Sequence, residues 1–190
     1  MLTPAKLALR GAFFGSLMIC FLCCILTTGK TSIDNPTTAL AANPAAVAHP
    51  TKCRISRKYP QTILQWCPQI TARAEQTGLA PDLIAALIWQ ESGGDPLAYS
   101  SSGAVGLMQV MPRDGLAANF SCAGGPCFAS RPSIEELQDP EFNIQYGTAM
   151  LAGLVKRSGS LREGLKAYGP MDVGYYYADK VLAIYKQYGE

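Results

Sequence analysis

Glu91 stands out in this sequence as a residue whose type and setting could do chemistry. With the stretch from Pro81 to Ser92 wound at about 100° per residue and Leu83 at the origin, Leu87 falls near 40°, Glu91 near 80° and Ile88 near 140°. The carboxyl group therefore lies inside the apolar arc. A carboxyl on such a face is paired with a cation, exposed because the helix ends there, or held in a low-dielectric cleft with a raised pKa. Helix-end glutamates are commonly solvated, so periodicity alone favours the two structural readings. The third would make Glu91 a proton donor near neutral pH.

Its surroundings shift that balance. The run Glu91-Ser92-Gly93-Gly94-Asp95-Pro96 stops the helix at once, and Gly103-Ala104-Val105-Gly106-Leu107-Met108-Gln109-Val110-Met111-Pro112 follows. Farther on come Asp139-Pro140-Glu141-Phe142-Asn143-Ile144-Gln145-Tyr146-Gly147, then Ala167-Tyr168, then Tyr177 to Tyr185. These four segments, in this order, resemble the motifs of the soluble-type lytic transglycosylases, the SLT domain of the lysozyme-like superfamily. The resemblance runs from about residue 65 to 188. It implies a mainly α, lysozyme-like fold and cleavage of the β-1,4 bond between N-acetylmuramic acid and N-acetylglucosamine, leaving 1,6-anhydro ends. One carboxyl group can suffice when the substrate's own acetamido oxygen stabilises the anomeric carbon. Glu91 would then act first as acid and afterwards as base.

Carried over position by position, the resemblance gives Gln109 a hydrogen bond to a glycan acetamido group and Met111 a place in the cleft lining. Asn143 would hold loop geometry or touch substrate, and Tyr168 would orient Glu91. Each has a plainer alternative: methionines such as Met108 and Met111 often fill cores, and Asn143 can be purely structural. Gly103 and Gly106 suit close backbone packing. One departure concerns Tyr168, which the family follows with Asn, whereas Gly169-Pro170-Met171 stands here. Tyr175, Tyr176 or Tyr177 could supply the orienting hydroxyl instead.

Two rival functions remain at this level. A hydrolytic lysozyme would need a second acid to position water, for which Asp95, Asp114 and Asp172 are candidates that no spacing distinguishes. A non-catalytic wall-binding module of an assembly or secretion apparatus would retain the cleft, but Glu91 together with Gln109 argues against it.

The elements that must hold these residues read as helices. The pattern predicts one over Gln69 to Gln76 closed by Gly78, and another from Pro81, a first-turn proline, to about Ser92. A third is expected over Gly103 to Met111, halted by Pro112. Ser133 and Glu136 have capping-box spacing. Asp139 and Pro140 open a long helix towards Lys156 and Arg157, whose charges suit its C-terminal end. Leu161 to Tyr168 and about Tyr175 to Tyr188 complete the set. No run alternates as a strand would.

A chain of 190 residues with 48% hydrophobic content suits one domain of ordinary size with some extra. A formal charge of +2 excludes a strongly basic nucleic-acid surface as the organising feature. Lys6 and Arg10 precede an uncharged apolar run of 16 residues, Gly11 to Leu26, which reads as an export signal. Residues 1–28 are therefore expected to be a signal peptide or a membrane anchor acting through residues 11–26. The run is short of the roughly 20 residues of a full span, so both fates stay open. Residues 29–52, rich in Thr, Ala, Asn and Pro, read as a flexible linker, and the globular domain as residues 53–190. Cys20, Cys23 and Cys24 are apolar filler in the leading run. Cys53, Cys67, Cys122 and Cys127 form an even set suited to disulfides in an oxidising compartment. Proximity favours Cys53 with Cys67 and Cys122 with Cys127, although four cysteines allow about three connectivities. With His49 the only histidine and no CxxC pair among these four cysteines, no metal is expected, nor any cofactor. The expected location is the periplasm or cell envelope, with peptidoglycan strands as substrate and envelope assembly machinery as a further possible partner.

Overall fold

A computed structural model describes residues 52–189. The leading apolar segment and, apart from Lys52, the linker fall outside the described residues. Among those described, the helices are α1 (Gln61–Leu64), α2 (Cys67–Thr77), α3 (Pro81–Ser92), α4 (Ile134–Gln138), α5 (Pro140–Ser158), α6 (Leu161–Tyr168) and α7 (Tyr176–Tyr188). The fold is mainly α, as expected. A 3-10 turn at Gly115–Asn119 leads into a hairpin of two-residue strands, β1 (Ser121–Cys122) and β2 (Gly125–Pro126), which nothing in the sequence pattern announced.

Helix α3 is the centre. Leu83, Ile84, Ala85, Ala86, Leu87 and Ile88 are all buried, so this helix is apolar on every side, as a core helix is. The apolar arc on which Glu91 was placed is therefore no stripe. Glu91 owes its setting to its position along the helix, just beyond the buried run. Helices α2 and α7 pack on α3, α5 packs on α2 and α6, and α6 packs on α7.

Local chemistry sets the helix ends. Pro81 occupies the first turn of α3, where a missing N–H costs nothing. Gly93 ends that helix in the left-handed region, φ 63°, with its N–H on the Trp89 carbonyl. Gly94 follows at φ 93°, so close to the Thr62 carbonyl that a Cβ would stand 2.2 Å from its oxygen. The Ser133–Glu136 capping box forms in full at the start of α4. Asp139 caps α5 by accepting the Phe142 N–H at 2.7 Å.

The stretch Gly103 to Met111 is not the helix that its apolar content suggested. It is an irregular loop in which Val105 forms isolated bridges with Tyr99 and with Val110. Gly103, Gly106 and Gln109 have φ of 94°, 75° and 45°, values that a right-handed helix cannot hold. Its apolar residues are buried because the loop is sunk into the core: Val105, Leu107, Met108 and Val110 are all part of it.

Disulfides join Cys53 to Cys67 and Cys122 to Cys127, the pairing that proximity favoured. The first ties the entering chain to the first turn of α2, and the second closes the hairpin. No helix among the described residues is long and apolar enough to cross a membrane.

Candidate active site

Glu91 emerges in the last turn of α3 at the floor of a cleft of about 280 Å3. One side is the loop, through Ser100, Ser102, Ala104, Gln109 and Met111, and the other is the end of α6, through Tyr168, Gly169 and Pro170. Among the described residues, Glu91 is the single carboxyl group lining it. Of the candidate second acids, Asp95 accepts the N–H of Leu97 two residues on, and Asp114 accepts that of Ile134 at the start of α4, 20 residues away. Asp172 lines a neighbouring hollow instead.

The loop wall is held from behind. The Asn143 side chain accepts the Met108 N–H at 2.8 Å and donates to the carbonyls of Val105 and Leu137, both at 2.9 Å. Gly106 is required beneath it, since a Cβ there would meet Asn143 Nδ2 at 2.4 Å. The Ser92 hydroxyl, one residue past Glu91, donates to the Leu107 carbonyl at 2.9 Å and so fixes the loop to the Glu91 end of α3. That role for Ser92 was missed in the sequence, where the residue read only as part of a helix stop. The Gln109 amide donates to the carbonyls of Ala98 and Gly106, at 3.1 and 3.0 Å. Its Oε1 has no partner among the described residues.

Two assignments that the sequence left open narrow. Asn143 is fully buried, its side-chain oxygen and nitrogen are bonded to backbone, and it is not among the residues lining the cleft, which favours the loop-holding alternative. Tyr168 lines the cleft, but its hydroxyl donates to the Met108 carbonyl at 2.7 Å. The hydroxyl on Glu91 Oε1 belongs to Tyr177, in the first turn of α7. Of the three tyrosines left open, only the one whose ring points inward from α7 is buried: Tyr177 is 7% exposed, whereas Tyr176 is 67% exposed. Tyr175 spends its hydroxyl on Glu163. Gly169, the departure from the family pattern, has a physical consequence here. Its missing side chain admits the Tyr177 ring, because a Cβ would lie 2.3 Å from Tyr177 Cδ1.

Burial pushes the Glu91 carboxyl from 4.5 up to about 7, and the Tyr177 hydroxyl partly opposes the rise. Tyr168 and Tyr177 are both pushed above the ordinary tyrosine range, by burial first and by the Glu91 charge second. They remain donors at any working pH. The site thus holds a carboxyl group that is half protonated near neutrality, a neutral phenol committed to it and a free amide oxygen across the cleft.

The transglycosylase SLT domain family matches residues 68–174, more than half of the chain. An endo-type membrane-bound lytic murein transglycosylase A of Citrobacter koseri is 41% identical over 98 residues, covering 52% of this chain and 46% of that protein. A membrane-bound lytic murein transglycosylase E of Buchnera aphidicola is 36% identical over 101 residues, covering 53% and 44%. A solved structure of the lytic transglycosylase Slt of Pseudomonas aeruginosa aligns with a TM-score of 0.49 at 24% identity, covering 63% of this chain and 23% of that one. The aligned segment spans less than half the length of the curated relatives. With the matched region enclosing Glu91, the loop wall and the end of α6, the chain belongs to the transglycosylase SLT domain family.

Proposed function

We propose that this protein is a peptidoglycan lytic transglycosylase that cleaves the β-1,4 bond between N-acetylmuramic acid and N-acetylglucosamine and leaves 1,6-anhydro ends. The observation that carries the reading is Glu91: a lone carboxyl in its cleft, raised to about 7 and hydrogen-bonded by Tyr177. Such a group donates its proton to the glycosidic oxygen as the C1–O bond breaks. The acetamido oxygen of the muramic unit supports C1 in place of a protein nucleophile. The Glu91 carboxylate then takes the proton of the C6 hydroxyl as that oxygen bonds to C1. Glu91 ends as it began and no water is consumed. The Tyr177 hydrogen bond is worth more to the carboxylate than to the acid, so it favours the charged stage between the two transfers. Gln109 Oε1 accepts an acetamido N–H, and Met111 and Tyr168 present apolar surface to the sugar rings.

The protein is read as exported to the periplasm or cell envelope. Two disulfides in the described domain support an oxidising compartment. Residues 1–28 would direct or anchor it, residues 29–52 would be the linker, and residues 53–190 the catalytic domain.

Mass spectrometry of digested glycan strands tests the activity. Anhydro ends, lighter by one water than reducing ends, are expected. Reducing ends would make the enzyme a hydrolase, and no cleavage would make it a binding module.

A further inference from the structure

Asn143 supports only part of the cleft wall. Its hydrogen bonds reach Val105 and Met108 but none of Ser100 to Ala104, the end of the loop that carries three of the residues lining the cleft. That end is closed on itself by the Gly103 N–H on the Ser100 carbonyl and the Ser100 N–H on the Ala104 carbonyl, at 3.0 and 2.9 Å. From outside, the 3-10 turn presses on it. A Cβ at Gly103 would lie 3.0 Å from both the Ala117 nitrogen and Leu116 Cβ, and one at Gly115 would lie 3.3 Å from the Tyr99 hydroxyl.

This turn belongs to an excursion, Arg113 to Pro132, that has almost no core of its own. Ala117 is the one buried residue between Arg113 and Arg131. Arg113 ties the two ends together: its N–H donates to the Pro132 carbonyl at 2.9 Å and its guanidinium to the Arg131 carbonyl at 3.2 Å. Between them the chain doubles back through β1 and β2, held by the Cys127 N–H on the Phe120 carbonyl, the edge-on rings of Phe120 and Phe128, and the Cys122–Cys127 disulfide. A two-stranded hairpin without a packed face is marginal in water. Here a covalent bond supplies the order that burial supplies elsewhere in the domain. Cys122 is exposed and Cys127 half-buried, so the bond lies open to an attacking thiolate. In the other disulfide Cys67 is 2% exposed.

We propose that the disulfide-closed excursion is a brace that positions Ser100, Ser102 and Ala104, and that opening Cys122–Cys127 weakens glycan binding while leaving proton transfer at Glu91 intact. This rests on reading the cleft as a glycan site. A dithiol opens the bond: one of its thiolates attacks a cysteine sulfur and releases the other cysteine, and its second thiolate then displaces the first. The reagent leaves as a cyclic disulfide and the protein keeps two thiols. Without the closure, residues 115–117 hold their place against Gly103 for less of the time, and a ligand must order Ser100 to Ala104 as it binds. Glu91, Tyr177 and Asn143 have none of their side-chain partners between residues 113 and 132, so the chemistry and the deeper wall are untouched. The wall is thereby complete only where the hairpin is oxidised.

Full-length protein is compared in three forms: oxidised, reduced with dithiothreitol, and Cys122→Ser/Cys127→Ser. Hydrogen exchange at the Gly103 and Ala104 amides should quicken roughly tenfold in the second and third forms, whereas the Met108 amide, held by Asn143, keeps its rate. On glycan strands KM should rise about three- to tenfold, with kcat and its pH limbs unchanged. Reoxidation should restore the parent's KM, and dithiothreitol should leave the double variant as it was. Equal KM in oxidised and reduced parent, a loss confined to kcat, or a dithiothreitol effect that persists in the double variant would overturn the brace. If no form cleaves glycan, the affinity for a β-1,4-linked N-acetylglucosamine tetrasaccharide decides. Weaker binding on reduction, with the exchange pattern above, leaves the brace standing while the activity reading falls, and equal binding removes the brace as well.

Discussion

The Tyr177 hydroxyl donates to Oε1 of Glu91, joining the first turn of α7 to the last turn of α3. It is the one interaction in the cleft that opposes the effect of burial on this carboxyl group. Burial favours the acid that can give up a proton, and the phenol favours the carboxylate that takes one back. Under the proposed mechanism a single group serves in both states, and it benefits from being held between the two.

Glu91→Gln should abolish glycan cleavage and raise stability at neutral and alkaline pH. The folded protein holds this proton more tightly than the unfolded chain, since the carboxyl rises from 4.5 to about 7. Its stabilising contribution is complete below about 4.5 and is lost as pH rises through about 7. The full shift corresponds to on the order of 3 kcal/mol, reduced by the solvent that reaches a half-buried group. Thermal unfolding from pH 4 to 8 should show the variant a few degrees above the parent at the alkaline end, with the gap closing towards pH 4. A variant clearly less stable at pH 8 would mean that Glu91 is not a buried acid.

Tyr177→Phe should lower kcat and move the alkaline limb of the rate profile upward. Loss of the phenol removes the influence that holds the Glu91 carboxyl down. A hydrogen bond to a charged group is worth about 1.5 to 3 kcal/mol, a fall of roughly ten- to hundredfold. Gly169→Ala should shift the profile the same way, because the new methyl displaces the Tyr177 ring. An unchanged pH profile in both variants would reduce Tyr177 to packing.

Asn143→Ala should destabilise the domain by about 2 kcal/mol or more, leaving the Met108 N–H and the Leu137 carbonyl unpaired in the interior, while the Val105 carbonyl keeps the Val110 N–H. Denaturant unfolding measures this directly. Near-parental stability combined with lost activity would return Asn143 to a substrate role.

Gln109 tests backbone and side chain separately. Alanine loses the bonds to Ala98 and Gly106 and keeps a Cβ at φ 45°, whereas glycine loses the same bonds but relaxes the backbone. Both should weaken cleavage. Gln109→Gly should be the more stable of the two by about 1 kcal/mol, read from paired melting curves. Equal stability would show that the left-handed conformation costs nothing here.

The sequence made most helices legible through local rules: Pro81 in a first turn, the Ser133–Glu136 box and the Asp139 cap all act over three or four residues. The loop was not legible that way. Gly103 to Met111 is rich in Val, Leu and Met because it is buried between helices, and burial alone does not separate a core loop from a core helix. Only its glycine spacing hinted at left-handed turns. Glu91 was found through motifs, since α3 is apolar all round and a helical wheel cannot single out one of its positions. Its phenolic partner was ambiguous among neighbouring tyrosines because a choice made by packing across the domain leaves no mark in local spacing.

Asn143 secures the cleft wall entirely through main-chain atoms of Val105, Met108 and Leu137. The wall's shape is thus indifferent to which side chains Ser102 and Met111 present to the ligand: Ser102 bonds only to the neighbouring Ser100 hydroxyl, and Met111 contributes no hydrogen bond. Natural variation can retune what the cleft accepts at these two positions without renegotiating the architecture, whereas drift at Asn143 or Gly106 would dismantle the wall along with its selectivity.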